Sequence, residues 1–356
     1  MKNREKILLY CTQLMPTGGI ESHILEFCKT MSNFFDIDIL VANFRMDIAN
    51  ERKLRENCKN VYLIKSNSAI KRHFLLLLNL LRLFKTKYDV LYTNGNGSSV
   101  LLLGKIVRLK KWVLHHHMEA EPEVFNSLDK NYKKALSEAT TIIACSKINA
   151  KNLKEQLNRD IDVVYCFSRD LGCENSEEHK DNKLHFGYFG RLIHAKGIDL
   201  ICKLSQDKEC DNISFHLWGN GNEYPKEFFQ KFNNVFYHGI FNSTKELRQI
   251  INYLDAFLLL TSHPEGLPVA LLEVMSAGLP WISTNKGGIP DITCDPVSTR
   301  IIDISEYETV KNSVLRLADD IRRGIVTKEK QIENYKKHFS ADVLTERWCD
   351  IFHTQN

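Results

Sequence analysis

Short apolar runs alternate with longer helical stretches along most of this 356-residue chain, and this rhythm restricts the fold more than any other feature. In the first half the runs predict strands at 6–11, 36–42, 60–64, 89–93, 112–116, 141–145 and 162–166. The stretches between them predict helices at 19–33, 69–86, 97–108, 126–139 and 147–157. Parallel strands joined by helices produce this order, so the sequence predicts a doubly wound α/β sheet.

A polar segment at 168–183 interrupts the rhythm and is predicted to be an interdomain linker. The pattern then restarts, with strands predicted at 184–189, 213–218, 234–238, 256–260 and 280–284. We therefore expect two α/β domains, 1–167 and 184–340, that face a central cleft bordered by the carboxyl ends of their strands. The last segment, 341–356, is predicted to be helical and to pack back on the first domain.

Charge divides the chain in the same way. Residues 1–165 hold 26 Lys and Arg against 17 Asp and Glu, whereas the remainder holds 22 against 27, for a net charge of +4. The basic excess of the first half fits an anionic membrane surface or a phosphate-bearing acceptor, and it is too small to indicate nucleic acid.

The sequence also predicts a cellular location. The amino-terminal residues do not resemble a signal peptide, and no apolar run reaches the roughly 18 residues of a transmembrane helix. The ten cysteines form no Cys-x-x-Cys pair and are interpreted as reduced thiols. We therefore expect a cytoplasmic protein, a location that allows peripheral contact with the inner face of the cell membrane.

Two acids, Glu265 and Glu273, flank the start of a helix predicted to begin at Pro268 and to stop at Gly278. Glu273 is the only charge in this apolar helix, where a carboxylate is costly unless hydrogen-bond donors meet it. The hydroxyl groups of a sugar or a ribose would be such donors, and free N–H groups at the helix start would suit a phosphate. A salt bridge to a neighbouring strand is the structural alternative.

Glycine-containing turns follow several of the predicted strands. One of them, from Gly190 to Gly197, carries Arg191 and Lys196, which together can neutralise a diphosphate beside a helix start. Two solvated loop cations are the alternative interpretation. Similar turns contain Gly18-Gly19, Gly95-Asn96-Gly97, Gly219-Asn220-Gly221 and Gly287-Gly288. None extends to Gly-x-Gly-x-x-Gly, so a dinucleotide fingerprint is not supported.

Three consecutive histidines, His115, His116 and His117, end a predicted strand. Neighbouring strand residues point to opposite faces, so the three are not expected to act as one unit. His117 is best placed for the cleft, with Glu119 following it, and the other two are interpreted as satisfied sheet residues. No cysteine or glutamate lies at a spacing that indicates zinc. The Asp-x-Asp triplets at 36–38 and 160–162 are interpreted as non-functional because they begin strands.

Residues 70–85 form a basic and very apolar helix. Packing on the sheet as an ordinary crossover helix is the favoured interpretation, and contact with a membrane is the alternative.

Taken together, these segments resemble a retaining nucleotide-sugar glycosyltransferase of family 4, of the type that builds bacterial surface polysaccharides. The resemblance covers nearly the whole chain and is most specific in the segments FGYFGRLIHAKG, FYHG and TSHPEGLPVALLEVMSAGLPWISTNKGGIPDI. It implies the GT-B fold, in which two Rossmann-like domains face a cleft. The second domain would bind a UDP- or GDP-linked sugar, and the first would hold the acceptor.

The resemblance also implies roles for individual residues. Arg191 and Lys196 would hold the diphosphate, Glu273 the ribose and Glu265 the transferred sugar, while His117 would lie near the reacting carbon. Further donor contacts are implied at Gly18, Gly19, Gly219, Gly239, Gly266, Leu267 and Pro268. Further acceptor contacts are implied at Glu21, Asn94 and Glu119, although many family members have histidine where this chain has Asn94.

The sequence thus predicts a metal-independent transferase that moves a sugar to a hydroxyl of a glycan or lipid-linked glycan in polysaccharide, lipopolysaccharide or capsule synthesis. Two alternatives remain open. A sugar-nucleotide epimerase of similar architecture would change the donor without any acceptor. A non-catalytic subunit of a transferase complex would bind the nucleotide sugar without turnover.

Overall fold

The chain divides into two compact units, each built on one parallel sheet. The computed structural model describes residues 4–172 and 181–353. Its units are Met1–Ser168 with Ala341–Asn356, and Arg169–Ser340. Two doubly wound sheets confirm the predicted α/β class. Residues 173–180 of the predicted linker lie outside the described residues.

The first unit contains a seven-stranded sheet in the order β3-β2-β1-β4-β5-β6-β7. Its strands are β1 (Lys6–Cys11), β2 (Asp36–Val41), β3 (Asn60–Leu63), β4 (Lys87–Asn94), β5 (Arg108–His116), β6 (Thr141–Ala144) and β7 (Asp162–Val163). Its helices are α1 (Gly19–Met31), α2 (Ile48–Asn57), α3 (Ala69–Leu83), α4 (Ser98–Ile106), α5 (Pro122–Ser127), α6 (Lys130–Glu138) and α7 (Lys147–Leu157).

Helices cover both faces of this sheet. Alternate residues of β1 enter two separate apolar clusters, because successive strand side chains point to opposite faces. Ile7 and Leu9 join a cluster that includes residues of α1 and α2. Leu8 and Tyr10 join a second cluster that includes residues of α3, α4 and α6. Burial on both faces explains why Ile7–Cys11 of β1 is a continuous apolar run.

The second unit contains a six-stranded sheet in the order β10-β9-β8-β11-β12-β13. Its strands are β8 (Leu184–Arg191), β9 (Ile213–Asn220), β10 (Val235–Gly239), β11 (Ala256–Leu259), β12 (Trp281–Thr284) and β13 (Thr299–Ile302). Its helices are α8 (Ile198–Leu204), α9 (Lys226–Phe229), α10 (Thr244–Tyr253), α11 (Val269–Ser276), α12 (Tyr307–Arg322) and α13 (Lys328–His338).

The final helix, α14 (Ala341–Phe352), belongs to the first unit. Its Trp348 is fully buried and packs against Phe27 of α1 with ring centroids 5.4 Å apart. The indole Nε1 donates a hydrogen bond of 3.1 Å to the carbonyl of Tyr165. The helix therefore completes the apolar cluster on one face of the first sheet.

Several predicted boundaries are wrong for local reasons. The helix predicted at 97–108 ends at Ile106, and the strand predicted to begin at 112 begins at Arg108. The helix predicted at 126–139 begins at Lys130, because the Asp129 carboxylate accepts the N–H groups of Asn131 and Tyr132 and caps it there. The short helix α5 precedes this cap. The strand predicted at 162–166 is paired only over Asp162–Val163.

The two Asp-x-Asp triplets are engaged within the first unit. Asp38 is buried and accepts hydrogen bonds from Tyr88 and Asn60, both 2.8 Å long. Asp36 pairs with Lys59, Asp160 with Lys154 at 2.7 Å and Asp162 with Arg347 at 2.6 Å. These contacts support the interpretation of both triplets as structural.

Candidate functional site

The strand order of the second unit creates a crevice at its carboxyl edge. β8 lies between β9 and β11, so the loops that follow β8 and β11 leave the sheet where the strand order reverses. Ligands of open α/β sheets bind at this position. The two loops are bonded together, because the N–H of Ser262 and the hydroxyl of Thr261 both donate to the carbonyl of Ala195, at 2.9 Å each.

This crevice brings Lys196 and Glu265 into contact. The Lys196 ammonium donates to the Glu265 carboxylate, and the two side chains are only 13% and 15% exposed. Gly197, directly after Lys196, has φ +78° and lies so close to Leu260 that a Cβ would be 2.2 Å from the Leu260 carbonyl oxygen. Glycine is therefore required where this loop turns into α8. Two residues predicted from separate motifs thus form one ion pair.

The Gly287-Gly288 turn after β12 fixes the backbone of Glu265. The N–H of Gly288 donates to the Glu265 carbonyl at 2.7 Å, and a Cβ on Gly287, which has φ +55°, would lie 1.9 Å from the same oxygen. The sequence grouped this turn with the glycine turns after strands, where free N–H groups at a helix start would suit a phosphate. The Gly288 N–H instead bonds Glu265, so the turn positions the acid.

Glu273 is buried in α11 and pairs with Arg169, which no sequence motif indicated. The guanidinium Nε donates to Oε1 at 2.6 Å, with side-chain exposures of 23% for Arg169 and 3% for Glu273. The segment after Arg169 also contacts α11, since the Leu171 N–H donates to the Ser276 hydroxyl at 3.0 Å. The salt bridge that was the structural alternative for Glu273 therefore forms, and its partner lies at the start of the predicted linker rather than in a strand. Pro268 is the N-cap residue and not the first helical residue.

Arg191 is the exposed cation at the end of β8. The Tyr188 hydroxyl donates to its carbonyl at 3.0 Å and fixes the backbone. Across residues 4–172 and 181–353, no hydrogen bond or ion pair engages its guanidinium. Five donors therefore remain available for an anion at the crevice.

The other predicted donor residues lie in the same second-unit loops or in the first unit. Gly219 is the penultimate residue of β9, where a Cβ would be 1.8 Å from the Gly190 carbonyl oxygen, and Gly239 ends β10. Gly266 and Leu267 are half-buried beside the buried Pro268. Gly18 and Gly19 precede and begin α1. The structure provides their positions, and their contacts with a donor stay a prediction.

The first unit has its own crevice where β1 lies between β2 and β4. The loops after β1 and β4 meet there, since the Thr12 N–H donates to the Asn94 carbonyl at 3.1 Å. Glu21 is buried in α1 and accepts a hydrogen bond of 2.7 Å from the Met15 N–H. Its carboxylate therefore stabilises the loop between β1 and α1. Burial raises the pKa of Glu21 above its ordinary value. A role of Glu21 toward an acceptor stays a prediction.

A buried hydrogen-bond relay fixes the tautomers of two histidines near this crevice. The Phe167 N–H donates to His23 Nδ1 at 3.0 Å, so neutral His23 carries its proton on Nε2 and donates it to Tyr92 at 3.0 Å. The Asn94 amide also donates to the Tyr92 oxygen, at 3.0 Å. The Tyr92 hydroxyl must then donate to His115 Nδ1, 2.8 Å away. Neutral His115 therefore carries its proton on Nε2.

Three buried polar atoms in or beside the relay have no partner in the described part of the chain. They are His115 Nε2, His117 Nε2 and Asn94 Oδ1. The rings of His115 and His117 lie 3.7 Å apart between centroids on one face of the sheet. His116 points to the other face, where it meets Tyr132 and the Glu119 carbonyl. The predicted alternation is correct for His116, whereas the interpretation of His115 as fully satisfied is wrong.

A group of three potential metal ligands lies at the same place. His115, His117 and Cys166 have ligand atoms within 4.8 Å of one another, and the Cys166 sulfur is 3.8 Å from His117 Nδ1. The relay places a proton on His115 Nε2, the only nitrogen of that ring left for a metal. A metal ion bound to His115 would therefore require the hydrogen bonds of Tyr92 to rearrange.

The buried histidines are expected to make the protein less stable in acid. Burial lowers the pKa of His23 to about 3 and of His116 to about 4, and burial together with neighbouring histidines lowers the pKa of His115 and His117 well below the ordinary value. In the unfolded chain these histidines bind protons near pH 6.5, whereas in the folded chain they stay neutral. The free energy of unfolding therefore falls as the pH drops through 6.5. At pH 5 each such histidine lowers it by about 2 kcal/mol.

Urea unfolding at pH 7 and pH 5 measures this effect. We expect a markedly lower midpoint at pH 5, and a smaller decrease when His116 is replaced by glutamine. The matched control is His338→Gln at the end of α13, for which we expect the full decrease. Equal midpoints at the two pH values would contradict neutral, buried histidines.

Comparison with known proteins gives an independent assignment. Residues 17–167 match the family described as Glycosyltransferase Family 4, and residues 174–338 match Glycosyl transferases group 1. The chain is 23% identical to an uncharacterized glycosyltransferase of Methanocaldococcus jannaschii, over 98% of each chain.

Two solved structures show a similar fold. HepE of Anabaena in complex with UDP-glucose has a TM-score of 0.75 at 17% identity, over 97% of this chain and 98% of that one. The lipopolysaccharide outer core galactosyltransferase WaaB has a TM-score of 0.73 at 18% identity, over 98% of this chain and 99% of that one. The two family matches and the two doubly wound sheets identify this chain as a glycosyltransferase with the GT-B fold, built from a Family 4 domain and a group 1 domain.

Proposed function

We propose that this chain is a retaining, metal-independent glycosyltransferase that moves a sugar from a uridine or guanosine diphosphate to a hydroxyl of a glycan or lipid-linked glycan. The proposed setting is surface polysaccharide, lipopolysaccharide or capsule synthesis at the cytoplasmic face of the membrane. The observation that carries the proposal is the contact of Lys196 with Glu265 in the second-unit crevice, beside the available guanidinium of Arg191.

The donor part of the proposal follows from charge. Departure of a nucleoside diphosphate builds negative charge, which fixed cations stabilise strongly in a site shielded from water. Arg191 can bind a phosphate with two parallel N–H groups, and the ammonium of Lys196 has three donors, of which Glu265 uses one. Lys196 can therefore keep its contact with Glu265 while it binds a phosphate oxygen. The UDP-glucose in the complex of HepE supports a donor of this class.

In this proposal Glu265 and Glu273 bind the sugar and the ribose of the donor. Glu265, held by Gly288 and Lys196, would accept a hydroxyl of the transferred sugar. Glu273 would accept the ribose hydroxyl groups while Arg169 balances its charge. Cations of this chain thus supply the charge that a divalent ion would otherwise provide, which supports a reaction without a metal.

The acceptor part rests on the first-unit crevice. Asn94 and His117 present buried polar atoms that no described residue satisfies, and Glu119 follows in the same loop. Buried polar atoms without a partner are rare in proteins and indicate a ligand or ordered water. In the retaining reaction we propose, the donor phosphate helps to deprotonate the acceptor hydroxyl on the face that the leaving group vacates. The WaaB galactosyltransferase supports an acceptor of the lipopolysaccharide type.

A ligand screen followed by product analysis tests the proposal. We expect thermal stabilisation by one nucleoside diphosphate and its sugar, because a ligand bound to the folded state raises the melting temperature. Transfer to a glycan acceptor should then give a product with the anomeric configuration of the donor by NMR, at a rate that EDTA leaves unchanged. An inverted product or loss of the rate in EDTA would contradict the proposal. Conversion of the donor alone would indicate an epimerase, and binding without transfer a non-catalytic subunit.

A further inference from the structure

Helix α3 has apolar side chains on two opposite faces. Leu76, Leu80 and Leu83 are buried in the cluster that covers one face of the first sheet, as expected for a crossover helix. The opposite face carries six large apolar side chains that are open to solvent: Ile70 (85% exposed), Phe74 (59%), Leu77 (50%), Leu78 (38%), Leu81 (63%) and Phe84 (51%). Packing on the sheet therefore explains only half of the apolar residues of this helix.

The exposed residues form one continuous stripe. They follow one another at intervals of mostly three or four residues, which places them on a single face of a helix with 3.6 residues per turn. A cluster of this kind on a protein surface marks a contact with a partner or a membrane. We call the six residues, from Ile70 to Phe84, the α3 stripe.

Cations border the α3 stripe, and acids are missing from this part of the sequence. Residues 57–88 contain seven Lys and Arg and no Asp or Glu. The helical period places Lys71, Arg82 and Lys85 along one side of the stripe. The Arg108 guanidinium lies 5.6 Å from the centre of the Phe84 ring. None of these four cations forms an ion pair with another described residue.

We propose that the α3 stripe and its bordering cations bind the surface of an anionic lipid bilayer, with α3 parallel to the membrane plane. An amphipathic helix with aromatic and leucine residues on one face and Lys and Arg beside them is suited to the headgroup boundary. Among the described helices none is long and apolar enough to cross a bilayer. α3 itself has 15 residues and would lie in the interface.

Charge selects the bilayer over a second copy of the chain. Two α3 stripes packed face to face would bring two basic borders together, which is unfavourable because like charges repel. An anionic leaflet supplies the opposite charge, and each Lys or Arg near it adds attraction. The inference deepens the proposed membrane setting by naming the surface, and it depends on neither the donor site nor the reaction.

Vesicle co-sedimentation of the full chain tests the proposal. We expect binding to vesicles of phosphatidylcholine with phosphatidylglycerol, much weaker binding to phosphatidylcholine alone, and a decrease as salt screens the charges. The double variant Phe74→Glu and Leu81→Glu should abolish binding. Lys71→Glu with Lys85→Glu should lower the partition coefficient about tenfold or more, because two attractive charges become repulsive.

Matched controls separate this surface from general effects. Ile48→Glu changes an apolar side chain that is 78% exposed on α2, and Lys130→Glu with Lys151→Glu reverses two exposed cations of the same unit, so both variants should bind vesicles normally. Circular dichroism and melting curves check that every variant folds. Stabilisation by the nucleotide donor, measured in parallel, tests the proposed function separately, since the α3 variants should retain it.

Three results would overturn the proposal. The first is absence of binding to anionic vesicles, and the second is binding that the Phe74→Glu and Leu81→Glu variant retains. The third is a concentration-dependent dimer that this variant abolishes and that does not bind vesicles, because the stripe would then be an interface between two copies.

Discussion

Replacement of Lys196 with alanine is expected to lower the rate of sugar transfer by about 10²–10³-fold, the usual loss when one preorganised donor to a developing charge is removed. The ammonium lies in the crevice after β8, where Glu265 orients it and where its side chain is largely shielded from water. In the proposed donor site, loss of this cation would leave the departing diphosphate with Arg191 alone. Steady-state kinetics with the identified donor and acceptor measure the effect.

The control for this variant is Lys226→Ala, which removes an exposed lysine of α9 in the same unit and should leave the rate unchanged. Lys196→Ala should also lower the melting temperature without ligand, because Glu265 loses its partner in a largely shielded ion pair. Circular dichroism checks that both proteins fold. A rate within about threefold of the wild type for Lys196→Ala would contradict the proposed donor site.

Replacement of Trp348 with alanine is expected to lower the free energy of unfolding by about 3–5 kcal/mol, the usual cost of deleting a large buried ring. Trp348 is fully buried and lies within 5.5 Å of the His115 ring and 5.8 Å of the Phe167 ring. Its loss opens a cavity beside the His23–Tyr92–His115 relay and removes the bond to the Tyr165 carbonyl. Urea unfolding at pH 7 measures the change.

Val343→Ala provides the matched control in α14, because Val343 is 44% exposed and its truncation removes little buried surface. Trp348→Phe keeps one aromatic ring and should cost less than the alanine variant, so it remains informative if the latter does not fold. Equal stability of the Trp348→Ala and Val343→Ala proteins would show that α14 does not complete the core of the first unit.

Local sequence pattern was sufficient for most of the strands, and the exceptions are instructive. β1 was predicted with its observed ends, because Lys6–Cys11 is an apolar run bounded by polar residues. β13 was not predicted, because Thr299–Ile302 is short, half-buried and interrupted by Arg300. Its position follows from pairing with β12, which is a tertiary interaction. The exposed amphipathic helix α2 was missed because its sequence has few apolar residues.

Some site residues could be found from the local sequence, whereas others depend on contacts between residues that are far apart in the chain. A glycine turn after a strand and an acid at a helix start are visible locally, so Arg191, Lys196 and Glu265 were proposed from the sequence. The partner of Glu273 was not visible, because Arg169 is 104 residues away in a segment without apolar periodicity. Cys166 was also missed, since 49 residues separate it from His117.

The sequence by itself determined the α/β class, most of the elements and the residue types at the strand ends, because apolar periodicity, caps and glycine turns act over a few neighbouring residues. Only the tertiary structure decided that Lys196 meets Glu265, 69 residues further along the chain, and that His115 holds its proton on Nε2. Such contacts depend on strand order and on complete hydrogen-bond accounting, and neither is encoded in the spacing of one segment.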